Sequence, residues 1–177
     1  MAAASLPGVT GYWRPVEVFA TFMKVSGEIE VMPPQRLTDV VNAVGDYLEL
    51  RGAVAEPMSV NYPVLSHREE HTVIAKQSVI LVAPKEQVGD VVGNPAMWRE
   101  KVLQPAAIHT VAFSMVADVH LEPRHTLRDQ LERYRTDFLP VTNVSALWVA
   151  SLGAETHALQ RAFALLNPAA ILSFSER

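Results

Sequence analysis

The chain has 177 residues, of which 49% are hydrophobic and 19% are charged, and its formal net charge is −4. A chain of this size and apolar content can bury a substantial core, which excludes a fully disordered protein. The acidic balance and the lack of any Lys or Arg run longer than two residues disfavour nucleic acid as a partner.

Residues 1–14 form a predicted N-terminal arm without the basic stretch and continuous apolar segment that are typical of a secretory signal. No window of the sequence approaches 18 uninterrupted apolar residues, so we expect no membrane association. The chain contains no cysteine, which excludes disulfides, thiolate metal ligands and a thiol nucleophile. The default expectation is a cytoplasmic protein.

The first part of the chain predicts strands around one short helix. The stretch VEVFATFMKVSGEIEVM, residues 16–32, is rich in β-branched and aromatic residues and predicts a long bent strand or a hairpin. A helix follows from Leu37, and it should be short because Arg36 occupies the N-cap position. YLELRGAVAEP, residues 47–57, predicts another strand, and residues 71–84 predict two more.

The second part of the chain repeats this pattern about 90 residues later. The matched positions are Gly27–Val31 with Ala117–Leu121, Pro33 with Pro123, Leu37 with Leu127, Asp39 with Asp129, and Val79–Pro84 with Phe163–Pro168. The second helix has clearer signals, with Thr126 as N-cap and Asp129 in the capping-box position. Because apolar, proline and acidic positions recur in the same order, we predict a tandem duplication.

Each predicted repeat has the order β-β-α-β-β-β. Five short strands and one short helix cannot cover a flat sheet, so the fold predicted is mainly β, with two small SH3-like or Sm-like barrels packed as a pseudo-dimer. The alternative is a single β-sandwich that shares strands from both repeats. The predicted boundaries are 1–14 for the arm, 15–85 for repeat 1, 86–106 for the linker and 107–174 for repeat 2.

Two stretches resemble a family of uncharacterised bacterial domains built as small β-barrel modules. They are Arg36-Leu37-Thr38-Asp39 to Asn42 with Tyr47-Leu48-Glu49-Leu50, and the closing segment Phe163–Phe174, which is similar to the strand pair that ends Sm-like domains. The resemblance implies a small barrel without assigned chemistry. Sm-like barrels commonly bind RNA or assemble into rings, but this chain lacks the basic loop signature that RNA binding would need.

The motif HREEH, His67–His71, matches the H-x-x-E-H zinc-protease signature. In that signature His67 and His71 would bind the metal, and Glu70 would activate water. That chemistry requires both histidines on one helix face, whereas here the motif runs straight into a β-branched stretch. The ordinary interpretation is therefore a polar loop that leads into a strand.

A second cluster consists of Asp118, His120 and Glu122, which alternate along one predicted strand and would share one face. They could hold a metal or a small cationic ligand. The solvated outer face of an antiparallel strand, with Val119 and Leu121 inward, would look the same. Asp39 and Asp129 are explained by helix capping without a substrate.

The predicted linker contains an apolar patch that includes Met97, Trp98 and Val102, and Trp13 near the N-terminus presents the same question. The patch either packs between the repeats or forms a partner-binding surface. Nucleophile elbows, phosphate-binding loops and dinucleotide fingerprints are absent from the sequence.

The sequence therefore favours a non-enzymatic interaction or assembly module, with a protein partner or a homo-oligomer, and with no cofactor expected. The alternative is a metal-dependent hydrolase or a small-ligand-binding protein that uses the histidine and carboxylate clusters.

Overall fold

A computed structural model describes residues 11–43, 45–58, 67–85, 101–133, 138–148 and 157–177. We refer to residues 11–85 as the N-terminal half and to residues 101–177 as the C-terminal half. Within the described ranges each half contains five strands and one α-helix. The N-terminal half comprises β1 (Tyr12–Phe19), β2 (Met23–Val31), α1 (Leu37–Val41), β3 (Tyr47–Pro57), β4 (His67–Ala75) and β5 (Leu81–Pro84). The C-terminal half comprises β6 (Val102–Thr110), β7 (Phe113–Leu121), α2 (Leu127–Arg133), β8 (Leu139–Trp148), β9 (His157–Leu166) and β10 (Ile171–Glu176).

The strands form one antiparallel sheet in the order β10-β6-β7-β8-β9-β5-β1-β2-β3-β4. The prediction of a mainly β protein is confirmed, but the sheet does not close into the two predicted barrels. The reason is that β9 pairs with β5, through Leu81↔Leu166 and Val82↔Leu165, instead of each half closing on itself. We call this β5–β9 junction the seam.

The two halves share their local construction. In the sheet, the last strand of each half lies beside its first strand. The order is β5-β1-β2-β3-β4 in the N-terminal half and β10-β6-β7-β8-β9 in the C-terminal half. A register shift interrupts β2–β3 pairing between Ser26 and Glu28, and another interrupts β7–β8 pairing between Val116 and Asp118. The residues opposite these bulges, Gly52 (φ 59°) and Asn143 (φ 51°), adopt left-handed backbone, which glycine and asparagine tolerate best.

The β–β–α start of each half agrees with the sequence-based expectation. β1 and β2 form a hairpin, as do β6 and β7. Along β7 buried and half-buried residues alternate, with Val119 and Leu121 inward as predicted. A helix of five residues, α1, is shorter than the seven-residue α2. The weaker N-terminal signals at Arg36 are consistent with this difference.

One block of the predicted repeat is wrong. The alignment placed Val79–Pro84 over Phe163–Pro168, but these segments contribute to neighbouring strands, β5 and β9, which pair with each other. By position in the sheet, the counterpart of β5 is β10. The two segments have similar apolar composition because the residues that meet at the seam are buried on both faces of the sheet.

Two apolar cores lie on opposite faces of the seam. Leu81 and Leu166 belong to the core formed mainly by the C-terminal half, whereas Val82 and Leu165 belong to the core formed mainly by the N-terminal half. All four side chains are fully buried. Because successive residues of a strand point to opposite faces, each seam strand contributes to both cores. The halves are therefore joined through a shared interior.

Candidate functional site

The residues predicted to bind a partner are only partly described. Met97 and Trp98 lie outside the described residues. Val102, predicted in the linker, lies in β6 and is 51% exposed. Trp13, predicted in the arm, lies in β1, where the guanidinium carbon of Arg51 is 4.0 Å from the centre of a Trp13 ring. This stacking covers part of the indole, and Trp13 is still 37% exposed, so its predicted role in partner binding stays a prediction.

The HREEH motif lies in a strand, β4, and not in the helix that a zinc protease requires. His67 and His71 share one strand face, and Glu70 projects from the opposite face. Glu69 Oε1 lies 3.9 Å from His67 Nε2, and Glu49 Oε2 lies 3.4 Å from His71 Nε2. This geometry separates the predicted general base from the predicted metal ligands.

The cluster of Asp118, His120 and Glu122 is divided among different partners. Asn143 Nδ2 donates to Asp118 Oδ2 at 2.7 Å, and His120 Nε2 lies 3.0 Å from Thr142 Oγ1. Glu122 forms ion pairs with Lys101 at 3.4 Å and with Arg133 at 2.5 Å. Among the described residues, no group of three His, Asp or Glu side chains is arranged to hold a metal ion. The metal and ligand alternatives stay predictions.

The surroundings of His120 in the folded protein change the pKa of its imidazole. Burial lowers the pKa of His120, and the positive charge of Lys101 lowers it further, while Asp118 acts in the opposite direction. The neutral imidazole is therefore favoured in the folded protein. It is suited to hydrogen bonding with Thr142.

The recurring aspartates are helix caps. The Thr126 backbone N–H and hydroxyl both donate to Asp129 Oδ2 at 2.8 Å, and the Asp129 N–H donates to Thr126 Oγ1 at 3.2 Å. These bonds lower the pKa of Asp129, with the backbone bond as the largest cause. Asp39 accepts the equivalent bond from the Arg36 N–H at 2.8 Å. Capping accounts for both residues.

An ion cluster beside the seam was missed from the sequence. Glu17 is 6% exposed in β1 and pairs with Arg161 of β9, while Lys24 Nζ lies 3.7 Å from Glu17 Oε1 and 2.8 Å from Glu56 Oε2. The cluster borders a cavity of about 360 Å³ whose apolar lining comes from both halves. The apolar lining residues are Phe19, Pro57, Met58, Phe113, Ala158 and Leu159. A glutamate within the apolar run VEVF was the available signal for this site.

Two asparagines also join the halves. Asn167 is 8% exposed and donates from Nδ2 to the carbonyls of Val79 at 2.7 Å and Lys76 at 3.2 Å. Asn42 forms a reciprocal pair of bonds with the backbone of Phe138. These polar side chains fix how the halves meet. The asparagine-proline pair at 167–168 was the only sequence signal for either contact.

Each end strand of the sheet carries an exposed apolar side chain. Among the described residues no strand pairs with the outer side of β4 or of β10. Val73 of β4 is 51% exposed, and Leu172 of β10 is 69% exposed. Tyr47, at the start of the neighbouring strand β3, is 62% exposed. Edge strands with apolar side chains are favourable sites for strand addition.

The fold and these edges define a mainly β protein with one open antiparallel sheet. Comparison with protein-family models, curated proteins and solved structures found no match for the chain. The Sm-like resemblance therefore stays a prediction. No helix within the described ranges is long and apolar enough to cross a bilayer.

Proposed function

We propose that this protein is a non-enzymatic interaction module, derived from a duplicated unit, that binds extended protein segments by adding them to its sheet edges. The observation that carries the proposal is that, in the part of the chain that the structure describes, β4 and β10 each have a strand neighbour on one side only, with Val73 and Leu172 exposed on them. Backbone groups along such an edge provide affinity, and alternate side chains provide specificity.

The shared construction of the halves supports duplication. The Lys85 N–H donates to the Pro15 carbonyl at 3.0 Å, and the Arg177 N–H donates to the Pro105 carbonyl at 3.0 Å. These bonds attach the last strand of each half to its first strand at the same place. The matching bulges at Gly52 and Asn143 add a second, independent correspondence.

The seam supports strand addition as the mode of binding. There, a strand of one half adds to the last strand of the other half, and the side chains that meet become fully buried. The chain therefore already contains one example of the interaction that its edges would make with a partner. The hydrolase alternative has no comparable geometric support among the described residues.

Site-specific photo-crosslinking in cells tests the proposal. Benzoylphenylalanine is placed at Val73, at Leu172 and, as a control, at Leu147, which is 46% exposed on the interior strand β8. We expect protein adducts from the two edge positions, mapped by mass spectrometry to an extended segment, and none from Leu147. Equal labelling at all three positions, or no adduct at either edge, contradicts the proposal.

A further inference from the structure

We propose that the partner of each edge is a second copy of this chain, with β10 of one molecule adding to β4 of the next in the register of the seam. This inference rests on the proposed function, because it names the segment that the edge would bind. Residues at the two edges correspond in position to residues at the seam, and this correspondence gives the register.

The correspondence for β10 comes from strand pairing. Phe19↔Lys24 is the last pair before the β1–β2 turn, as His109↔Ser114 is before the β6–β7 turn. Phe19 pairs onward with Leu81, and His109 pairs onward with Ser173. Ser173 therefore holds the place of Leu81, and Phe174 that of Val82.

The correspondence for β4 is obtained in the same way. Leu48 of β3 corresponds to Leu139 of β8. Leu48 pairs with Ile74 in the N-terminal half, and Leu139 pairs with Leu166 in the C-terminal half. Ile74 therefore holds the place of Leu166, and Val73 that of Leu165. The seam pairs Leu81↔Leu166 and Val82↔Leu165 translate into Ser173↔Ile74 and Phe174↔Val73 between two molecules.

Exposure at the edges fits this pairing. Val73 is 51% exposed, whereas its seam counterpart Leu165 is fully buried. Tyr47 is 62% exposed and Leu172 is 69% exposed, while their counterparts Phe138 and Ile80 are 3% and 2% exposed. Three of the large exposed hydrophobic side chains thus occupy positions that the seam buries. A second copy would remove them from water.

A cavity beside β4 lies where the incoming strand would begin. At the seam, the Asn167 N–H donates to the carbonyl of Ile80 at 2.9 Å. The translated bond joins the Ala75 N–H to Leu172 of the second copy. Ala75, Lys76 and Tyr47 line a cavity of about 440 Å³, which provides space beside the position that Leu172 would take.

The pairing between copies should be weaker than the seam. Leu81 at the seam is replaced by Ser173 at the edge, and the amide of Asn167 has only Ala75 as its counterpart. The interface is also heterologous, since β4 and β10 are different surfaces. Such contacts produce closed rings or open chains of molecules.

Engineered disulfides test the pairing, since the chain has no cysteine of its own. The next pair along the translated register is Thr72 with Ser175. Two single variants, Thr72→Cys and Ser175→Cys, are mixed at high concentration and oxidised, with one carrying a mass tag. We expect mainly the mixed disulfide. Thr72 homodimers and Ser175 homodimers should form far less.

Three results of this experiment overturn the inference. They are a statistical mixture of disulfides, homodimers alone, and the absence of any disulfide at high concentration. The double variant supplies a further check. A disulfide within single molecules of Thr72→Cys/Ser175→Cys, without linked copies, would also overturn the inference, because one chain would then pair its own edges.

Light scattering across a concentration series provides a second measurement. The mean mass should rise with concentration, and Leu172→Lys should weaken association roughly tenfold or more because it places a charge in the apolar contact. Leu147→Lys, on an interior strand, is the control that should associate like the unmodified protein. Unfolding curves of both variants verify that each remains folded.

The two proposals fail in different ways. Edge adducts to an unrelated protein, together with a mass that stays monomeric, reject the second copy and retain strand addition. Loss of edge adducts altogether rejects both proposals.

Discussion

Asn42 and Phe138 are 96 residues apart in the chain and are joined by two reciprocal hydrogen bonds. Asn42 Nδ2 donates to the Phe138 carbonyl at 3.1 Å, and the Phe138 N–H donates to Asn42 Oδ1 at 2.7 Å. The side-chain amide thus makes with the Phe138 backbone the pair of hydrogen bonds that a neighbouring strand would make. Since α1 and the start of β8 belong to different halves, this contact helps to fix their relative position.

Replacing Asn42 by Ala should destabilise the protein by about 1–3 kcal/mol, because the buried backbone groups of Phe138 lose their partners. Glu132→Ala is the matched control, at the corresponding position after the start of α2. Its pair with Arg128 is exposed and should contribute much less, because water screens the two charges. Chemical denaturation measures both changes, and equal losses would contradict the structural role of Asn42.

Replacing Glu17 by Gln should destabilise the protein by more than about 1 kcal/mol, since Arg161 and Lys24 lose a largely buried carboxylate. Glu28→Gln removes the exposed pair with Arg51 and serves as the control, with an expected loss of about 1 kcal/mol or less. Thermal and denaturant unfolding are the measurements. A smaller loss for Glu17→Gln than for Glu28→Gln would refute this assignment.

The lowered pKa of His120 predicts a pH dependence of stability. The folded state binds a proton at His120 less readily than the unfolded state, so its contribution is fully present above the unfolded pKa near 6.5. The contribution is lost as the pH falls from that value towards the folded pKa. In the variant His120→Asn, stability should fall less over this range than in the unmodified protein.

His71→Asn is the control for that experiment, because His71 is 62% exposed at its side chain on β4. Unfolding free energies are measured between pH 7.5 and 5.5 for all three proteins. If the His120 variant and the unmodified protein show the same slope, the linkage is absent.

The two helix starts predict opposite effects of substitution. Thr126→Ala removes the hydroxyl that accepts the Asp129 N–H, and should cost about 1 kcal/mol. Arg36 has extended backbone (φ −102°, ψ 165°) suited to an N-cap, and Asp39 already accepts from its N–H. Arg36→Thr should therefore stabilise the protein by up to about 1 kcal/mol. Denaturant midpoints compare the variants, and destabilisation by Arg36→Thr would contradict the capping argument.

Local features were predictable because they depend on neighbours in sequence. Alternation in Phe113–Leu121 determined which face of β7 is buried, and Thr126 with Asp129 determined where α2 begins. The recurrence of strand and helix patterns gave the β-β-α-β-β-β order of each half. The absence of cysteine excluded disulfides and thiol chemistry.

Only the tertiary structure decided how the strands associate. Val82 and Leu165 are apolar in the sequence, but nothing near them indicates that β5 and β9 pair with each other and bury both faces. Glu17 and Arg161 come together for the same reason, 144 residues apart. Closure of each half on itself and pairing between the halves satisfy the same local pattern. The choice depends on long-range burial and backbone hydrogen bonding, which local sequence does not encode.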